Sequence, residues 1–217
     1  MIFLEIKKVS EDDLKLINSF SKRELKSNEI YTFRLVCCDN QIDRDFEKFD
    51  DSALEKMAEL YPGRTIIKDH LPTADNQSAR IYKAEVIQEN GIKKLLVYAY
   101  IPVLDSTKDF IETIETGLKK EVSVGCAVKK RICSICGSES YCSHSPGRTY
   151  NNKTCFKTLS DITDVYEISF VAVPAQKNAG VIKSFDVQKK LETQENQELE
   201  KELLEFELKL FEKEFYK

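Results

Sequence analysis

The sequence of 217 residues has only two histidines, His70 and His144, and no long apolar run. A helix that crosses a bilayer needs roughly 20 consecutive apolar residues, and no segment approaches that length. The first eight residues lack the basic region and long apolar stretch of a secretory signal, so we expect no signal peptide. These absences favour a protein that neither contacts a membrane nor is exported.

The chain also lacks a surplus of positive charge, since its net charge is -4, and it is therefore not expected to bind nucleic acid. Residues 186–217 hold ten acidic residues and six lysines, so the whole net charge arises in this segment. No proline or glycine interrupts it, and its leucines and phenylalanines recur at steps of three and four. The pattern predicts a charged amphipathic helical tail that either self-associates or folds back on its own domain.

Residues 1–185 show the mixed local patterns of an α+β domain rich in antiparallel strands. Caps and helical periodicity predict helices over 11–24, over 51–61, and from a cap at Asp105 to Gly117. Runs rich in β-branched and aromatic residues predict strands over 30–38, 79–87, 94–101, 121–128 and 162–173. Asn90-Gly91 separates two of these runs and predicts a hairpin turn.

The seven cysteines are more consistent with thiols or metal ligands than with disulfides, because no export signal is present. Residues 131–158 lack apolar periodicity and contain a set of soft ligands at knuckle spacing: Cys133, Cys136, Cys142 and His144. Four protein ligands leave no open position for water, so we expect a structural zinc ion in a knuckle insertion. Cys155 is a reserve ligand that could displace His144, and the alternative is a loop of unrelated free thiols. No recognition helix is predicted after the cluster, which argues against a nucleic-acid finger.

If His144 binds zinc, His70 is the only imidazole left for acid–base chemistry. Ser123 lies in a predicted strand between two valines that face the other way, and Gly125 would let another backbone approach closely. Glu167 begins an otherwise apolar strand. A nucleophilic serine needs a base, and the base needs an orienting partner, so these residue types make a candidate triad. The alternatives are a surface histidine bonded to Asp69 and a nucleophilic Cys126, although a small buried side chain is the better interpretation of Cys126.

Taken together, these segments resemble the prohead serine proteases of tailed phages, a family related to the herpesvirus capsid protease, assemblin. The resemblance spans residues 10–185 and depends on the order of several short motifs. The motifs are Asp69-His70, Ser123-x-Gly125, Glu167-x-Ser169-x-Val171-x-x-Pro174-Ala175, Asp43-Arg44-Asp45 through Phe49, Ala79-Arg80-Ile81, and the Cys-x2-Cys insertion.

The resemblance implies an antiparallel β-barrel flanked by helices, with His70 as general base and Ser123 as nucleophile. Assemblin uses a second histidine in the third role, and Glu167 is the substitute we expect here unless His144 leaves the metal. It also implies a protease that cleaves itself and extensions of the scaffold or major capsid protein inside an assembling prohead, in the host cytoplasm. Backbone N–H groups or Arg80 are the candidate oxyanion donors.

A competing interpretation is a non-catalytic virion structural or scaffold protein, because related barrels also build phage tail tubes. The joint presence of His70, Ser123 and Glu167 favours the enzyme, since a tube protein has no need of all three. A third interpretation, a zinc-dependent regulator, rests on the cysteine insertion alone.

Overall fold

A computed structural model of the protein describes residues 9–182. The predicted helical tail over 186–217 lies outside these residues. The described part is an α+β domain with three α-helices and a core rich in β-structure. Its helices are α1 (Glu11–Ser19), α2 (Asp51–Leu60) and α3 (Lys108–Glu115).

Residues 9–182 contain ten strands, which lie in two sheets. The first five are β1 (Ile30–Asp39), β2 (Glu47–Phe49), β3 (Thr65–Lys68), β4 (Ala79–Glu89) and β5 (Ile92–Pro102). The others are β6 (Val122–Cys133), β7 (Thr149–Tyr150), β8 (Lys153–Thr154), β9 (Lys157–Phe170) and β10 (Gly180–Val181).

The main sheet has the strand order β10-β1-β5-β4-β3-β9-β2, and β6 pairs with the other edge of β9. Strands β2 and β3 run parallel to β9, whereas the other pairs are antiparallel. The domain is rich in antiparallel strands as predicted, but the antiparallel barrel that the resemblance implies is wrong at these two strands. The cause is α2, which connects β2 to β3 and carries the chain forward along the 14-residue β9.

The predicted closed barrel is not found in residues 9–182. The open sheet ends approach each other at an isolated bridge between Glu121 and Gly180, where β6 comes nearest to β10. Because β10 has only two residues, the backbone pairing needed to close the cylinder does not extend along β6. The α+β prediction is confirmed, and its barrel detail is not.

Local signals predicted several element ends correctly. Ser10 caps α1 by accepting from Asp13 N at 3.1 Å, and both Asn90 and Gly91 have the positive φ of a tight hairpin turn. However, α1 ends at Ser19 rather than residue 24, because the Asn18 side chain captures the backbone of Leu25 and turns the chain.

Two other boundaries differ from the prediction. Asp105 does not cap α3, which begins at Lys108 after Thr107; instead Asp105 forms an ion pair with Lys108 at 2.7 Å. Strand β6 extends beyond residue 128 to Cys133, and β9 begins at Lys157 instead of residue 162 but ends at Phe170 instead of residue 173. The two strands pair as far as Cys133 and Lys157, with two register shifts between Gly125 and Val128. The insertion is therefore the connection between the two longest strands of the sheet.

Candidate active site and metal centre

Three adjacent strands, β3, β9 and β6, bring the predicted triad residues to one side of the sheet. In the register, Ser123 lies opposite Ser169, and Gly125 lies opposite Glu167. Paired residues share a face, and alternate residues of a strand do too, so these four positions face the same way. The intervening residues on the opposite face, such as Val122 and Ile168, are fully buried in the core. The core therefore fixes the outward direction of the candidate triad.

His70 lies just beyond β3 in a turn of unusual backbone geometry. Asp69 N donates to Phe170 O at 3.0 Å, and Leu71 N closes the turn on Lys68 O at 3.1 Å. Asp69 and His70 both have left-handed backbones, with φ of 54° and 52°. Such conformations cost about 1–3 kcal/mol each and persist where the surroundings enforce them. His70 therefore lies two residues beyond the end of β3 and not in a strand.

Asn76 holds this turn from the other side. Its Nδ2 donates to Lys68 O at 2.7 Å and to Leu71 O at 2.8 Å, so one amide group ties the two carbonyls that flank Asp69 and His70. The role of Asn76 was not predicted from the sequence, because nothing in its local pattern distinguishes it from an ordinary loop asparagine.

The imidazole of His70 contacts the carboxylate of Glu167, with 2.8 Å between Nδ1 and Oε1. A carboxylate only accepts hydrogen bonds, so Nδ1 carries the proton and the lone pair of the neutral ring is on Nε2. The Glu167 side chain is 10% exposed, whereas that of His70 is 44% exposed. The acid is thus buried behind the ring, while the ring remains accessible to a substrate.

Ser169 joins the two members of this pair. Its hydroxyl donates to Glu167 Oε2 at 2.7 Å and accepts from His70 N at 2.9 Å, and the residue is completely buried. Ser169 belongs to one of the motifs of the resemblance, which implies no role for it. The available signal was its position two residues after Glu167, which places both side chains on one face of a strand.

Gly125 provides the space that the Glu167 carboxylate occupies. A Cβ atom at Gly125 would lie 2.5 Å from Glu167 Oε1, which is closer than real contacts allow. The expected close approach at Gly125 exists, but the prediction that a backbone makes it is wrong. The neighbouring group is the acidic side chain of the candidate triad.

Ser123 is half-buried and lies directly across the β6–β9 ladder from Ser169. Such cross-strand neighbours have Cα atoms about 4.5–5.5 Å apart, and Ser169 itself contacts His70. Among residues 9–182, the hydrogen bonds of His70 go to Glu167 and Ser169, and none goes to Ser123. Catalytic hydrogen bonds are often incomplete in unliganded sites and form when a substrate binds.

The alternative site residues have other partners. Burial raises the pKa of the Cys126 thiol to about 11, and its side chain packs on the core, so it is a poor nucleophile at neutral pH. The Arg80 guanidinium donates to Gly63 O at 2.8 Å and to Gln77 Oε1 at 3.2 Å. The His70 ring bonds Glu167 and not Asp69, contrary to the surface-histidine alternative.

A second cluster lies in the connection between β6 and β9. The ligand atoms of four residues, Cys133, Cys136, Cys142 and His144, all lie within 4.8 Å of one another and could hold a metal ion. Gly137 follows the Cys133–Cys136 turn with φ of 71°, and its N–H donates to Cys133 O at 2.8 Å. Glycine adopts this positive φ without the strain that a side chain would cause.

The chemistry of these side chains fits a metal. The Nδ1 atom of His144 is buried and has no hydrogen-bond partner in the described part of the chain. Burial opposes ionisation of Cys133, but hydrogen bonds from the backbone of Cys136 and Ile135 outweigh it and lower its pKa to about 6. A thiol that ionises readily and an orphaned imidazole nitrogen are what a metal ligand set requires.

Cys155 lies beside this set, with its Sγ atom 3.8 Å from Cys133 Sγ. Burial, and then the hydrogen bond with Cys133, raise the pKa of the Cys155 thiol. The ligand atoms that converge within 4.8 Å include His144 and not Cys155, so the geometry favours His144 as the fourth ligand and makes Cys155 a neighbour that contacts a ligand.

The metal cluster and the triad lie at opposite ends of the same strand pair. Ten residues of β6 separate Ser123 from Cys133, which is up to about 33 Å at 3.3 Å per residue. A metal ion at the cluster cannot reach a substrate at Ser123. It can hold the connecting segment that follows Cys133 against the end of β6.

Comparison of the chain with protein-family models, with curated proteins and with solved structures gives no match. The resemblance to prohead proteases therefore stays a hypothesis based on the motifs.

None of the helices described in residues 9–182 has the length and apolar character required to cross a membrane.

Proposed function

We propose that the protein is a serine endopeptidase in which Ser123 is the nucleophile, His70 the general base and Glu167 the group that orients the base. The observation that carries this proposal is the 2.8 Å contact between His70 Nδ1 and Glu167 Oε1, made beside Ser123. Because the Glu167 carboxylate accepts a hydrogen bond from Nδ1, Nε2 is free to accept a proton from a hydroxyl. A serine hydrolase requires this arrangement of the two ring nitrogens.

In the proposed reaction, Ser123 Oγ attacks the carbonyl carbon of a peptide bond while its proton passes to His70 Nε2. The imidazolium then gives that proton to the leaving amine, and an acyl-enzyme is formed. Water then attacks the acyl carbon while His70 Nε2 takes its proton. The ester bond to Ser123 Oγ breaks, His70 returns the proton to that oxygen, and the acid product leaves. Glu167 remains ionised throughout and stabilises the imidazolium, because its carboxylate is held against Nδ1.

The proposed substrates follow from the motifs that resemble the prohead proteases of tailed phages. By that resemblance, the enzyme cleaves itself and the extensions of scaffold or major capsid proteins during head assembly. We propose zinc as the metal, because three thiolates and one imidazole are a typical tetrahedral zinc set. The ion would be structural and would take no part in the reaction.

The decisive experiment is labelling of the purified protein with a fluorophosphonate, which reacts much faster with an activated serine than with an ordinary hydroxyl. Serine oxygen bonds to phosphorus, fluoride leaves and His70 accepts the proton. We expect one adduct, located at Ser123 by peptide mass spectrometry, and its loss in both Ser123→Ala and His70→Ala. Intact mass after expression, wild type against Ser123→Ala, reports self-cleavage in parallel.

The matched control is Thr163→Ala, which removes a hydroxyl from an exposed position of β9 away from the site. This variant should label like the wild type. A folded wild-type protein that gives neither adduct nor self-cleavage would exclude the proposed protease and favour the non-catalytic virion protein.

A further inference from the structure

We infer that Ser169 is a positioning residue that locks the His70–Glu167 pair into its working geometry. The inference rests on the proposed function and adds a fourth member to the proposed catalytic group. Ser169 touches no substrate in this scheme, because it is completely buried and acts through the two residues that it contacts.

The two hydrogen bonds of Ser169 serve different ends of the pair. Its hydroxyl donates to Glu167 Oε2 at 2.7 Å, which leaves Oε1 directed at His70 Nδ1. A carboxylate can rotate about its last bond, and a donor on one oxygen restricts that rotation. The second oxygen is thereby kept in the plane and direction that the imidazole N–H requires.

The second hydrogen bond fixes the backbone that carries the base. Ser169 Oγ accepts from His70 N at 2.9 Å, and His70 has a left-handed backbone with φ of 52°. This amide belongs to the turn, so it has no strand partner of its own. One hydroxyl thus satisfies the amide of a strained residue and orients the acid that this residue contacts.

Strand pairing provides the position for this hydroxyl. In the register, Ser169 pairs with Ile67 of β3 on one side and with Ser123 of β6 on the other. It lies two residues after Glu167 on β9, so the two side chains share a face. Because β3 runs parallel to β9, the chain leaves β3 beside Ser169 and brings the His70 amide to its hydroxyl. A serine at this position is consequently adjacent to the base, the acid and the nucleophile.

Three substitutions separate hydrogen bonding from packing. Ser169→Ala removes the hydroxyl, Ser169→Cys keeps the shape but offers only a weak donor and acceptor, and Ser169→Thr restores the hydroxyl. We expect the fluorophosphonate labelling rate to fall about 100-fold in the first two variants, since small misplacements of catalytic groups have effects of this size. Ser169→Thr should recover most of the rate.

The second measurement does not depend on activity. The Nδ1 proton of an imidazole bonded to a carboxylate gives a far-downfield proton NMR signal, and we expect this signal from His70 in the wild type. It should be broadened or lost in Ser169→Ala and Ser169→Cys, retained in Ser169→Thr, and unaffected by Thr163→Ala. Circular dichroism establishes that each variant is folded.

The outcomes distinguish the inference from the proposed function. A protein that does not label but loses the His70 signal on Ser169→Ala would refute the protease while supporting the positioning role. Wild-type labelling rates and an unchanged signal in folded Ser169→Ala would overturn the positioning role and leave the protease intact. A Ser169→Cys variant that behaves like the wild type would likewise reject hydrogen bonding in favour of packing. If Ser169→Thr does not fold, the comparison of Ser169→Ala with Ser169→Cys still decides between hydrogen bonding and packing.

Discussion

Gly125 and Glu167 face each other across β6 and β9, and the carboxylate of Glu167 occupies the volume that any side chain at Gly125 would need. The distance of 2.5 Å between a Cβ atom at Gly125 and Glu167 Oε1 makes the two incompatible. The orientation of the acid thus depends on the absence of a side chain on the neighbouring strand.

Gly125→Ala should displace the Glu167 carboxylate from His70 and lower the rate of serine labelling about 100-fold. The same substitution should lower the free energy of unfolding, because a methyl group and a carboxylate compete for one space. As a control, the stability loss caused by Gly125→Ala is measured by urea unfolding in the wild-type background and in the Glu167→Ala background. The loss should be smaller in the Glu167→Ala background, because no carboxylate is left there for the new methyl group to contact. An equal loss in both backgrounds would refute the clash.

Glu167→Gln should reduce the labelling rate without abolishing it. An amide can still accept from His70 Nδ1, but it cannot stabilise the imidazolium by charge, and its NH2 group conflicts with the Ser169 hydroxyl that donates to Oε2. We expect a loss of up to about 10⁴-fold, whereas Ser123→Ala should not label at all, because the oxygen that forms the adduct is absent. Equal rates in Glu167→Gln and the wild type would exclude Glu167 from the third role.

Asn76→Asp should destabilise the turn that carries His70. The substitution replaces a donor by a carboxylate oxygen that faces the carbonyls of Lys68 and Leu71. Each carbonyl keeps its backbone donor but loses the amide hydrogen bond and meets a repelling oxygen instead. We expect a cost of about 1–3 kcal/mol in the free energy of unfolding, measured by urea denaturation. Asn151→Asp, at an exposed loop position, is the matched control and should cost much less. Similar costs at the two positions would contradict the role of Asn76 in holding the turn.

Loss of a metal ligand should separate stability from serine reactivity. Cys136→Ser should abolish tight zinc binding, measured by metal analysis of the purified protein, and should lower the melting temperature. Cys155→Ser should retain about one zinc per chain, because the other four side chains already converge. Folded Cys136→Ser should still label at Ser123, since the cluster lies at the far end of β6. A zinc-free wild type would remove the zinc assignment.

The Cys126 thiol should be alkylated slowly at neutral pH, and its rate should rise about tenfold per pH unit. Burial raises its pKa to about 11, so the reactive thiolate is rare below that value and increases until the pH passes it. In urea the same thiol should reach its plateau near its ordinary pKa of about 8.5. Mass spectrometry of iodoacetamide-treated peptides gives both rates, and equal pH dependence would contradict the burial argument.

The sequence alone determined those features that depend on neighbouring residues. The cap at Ser10, the hairpin at Asn90-Gly91 and the turn after Cys136 each follow from the backbone preferences of a few adjacent side chains. The four ligand types of the metal cluster are also close in sequence, so their spacing indicated a site that the structure confirms as able to hold a metal ion. Short-range rules apply here because the interacting groups are only a few residues apart.

Tertiary structure decided how the distant parts meet. Whether β3 runs parallel or antiparallel to β9 has no local signature, yet the parallel pairing brings His70 to Glu167, 97 residues away. The role of Ser169 and the need for a glycine at Gly125 follow from the same pairing and its register. The sequence supplied the residue types of the candidate site, whereas long-range strand pairing fixed which atoms touch, because side-chain direction alternates along a strand and is set by the partner's register.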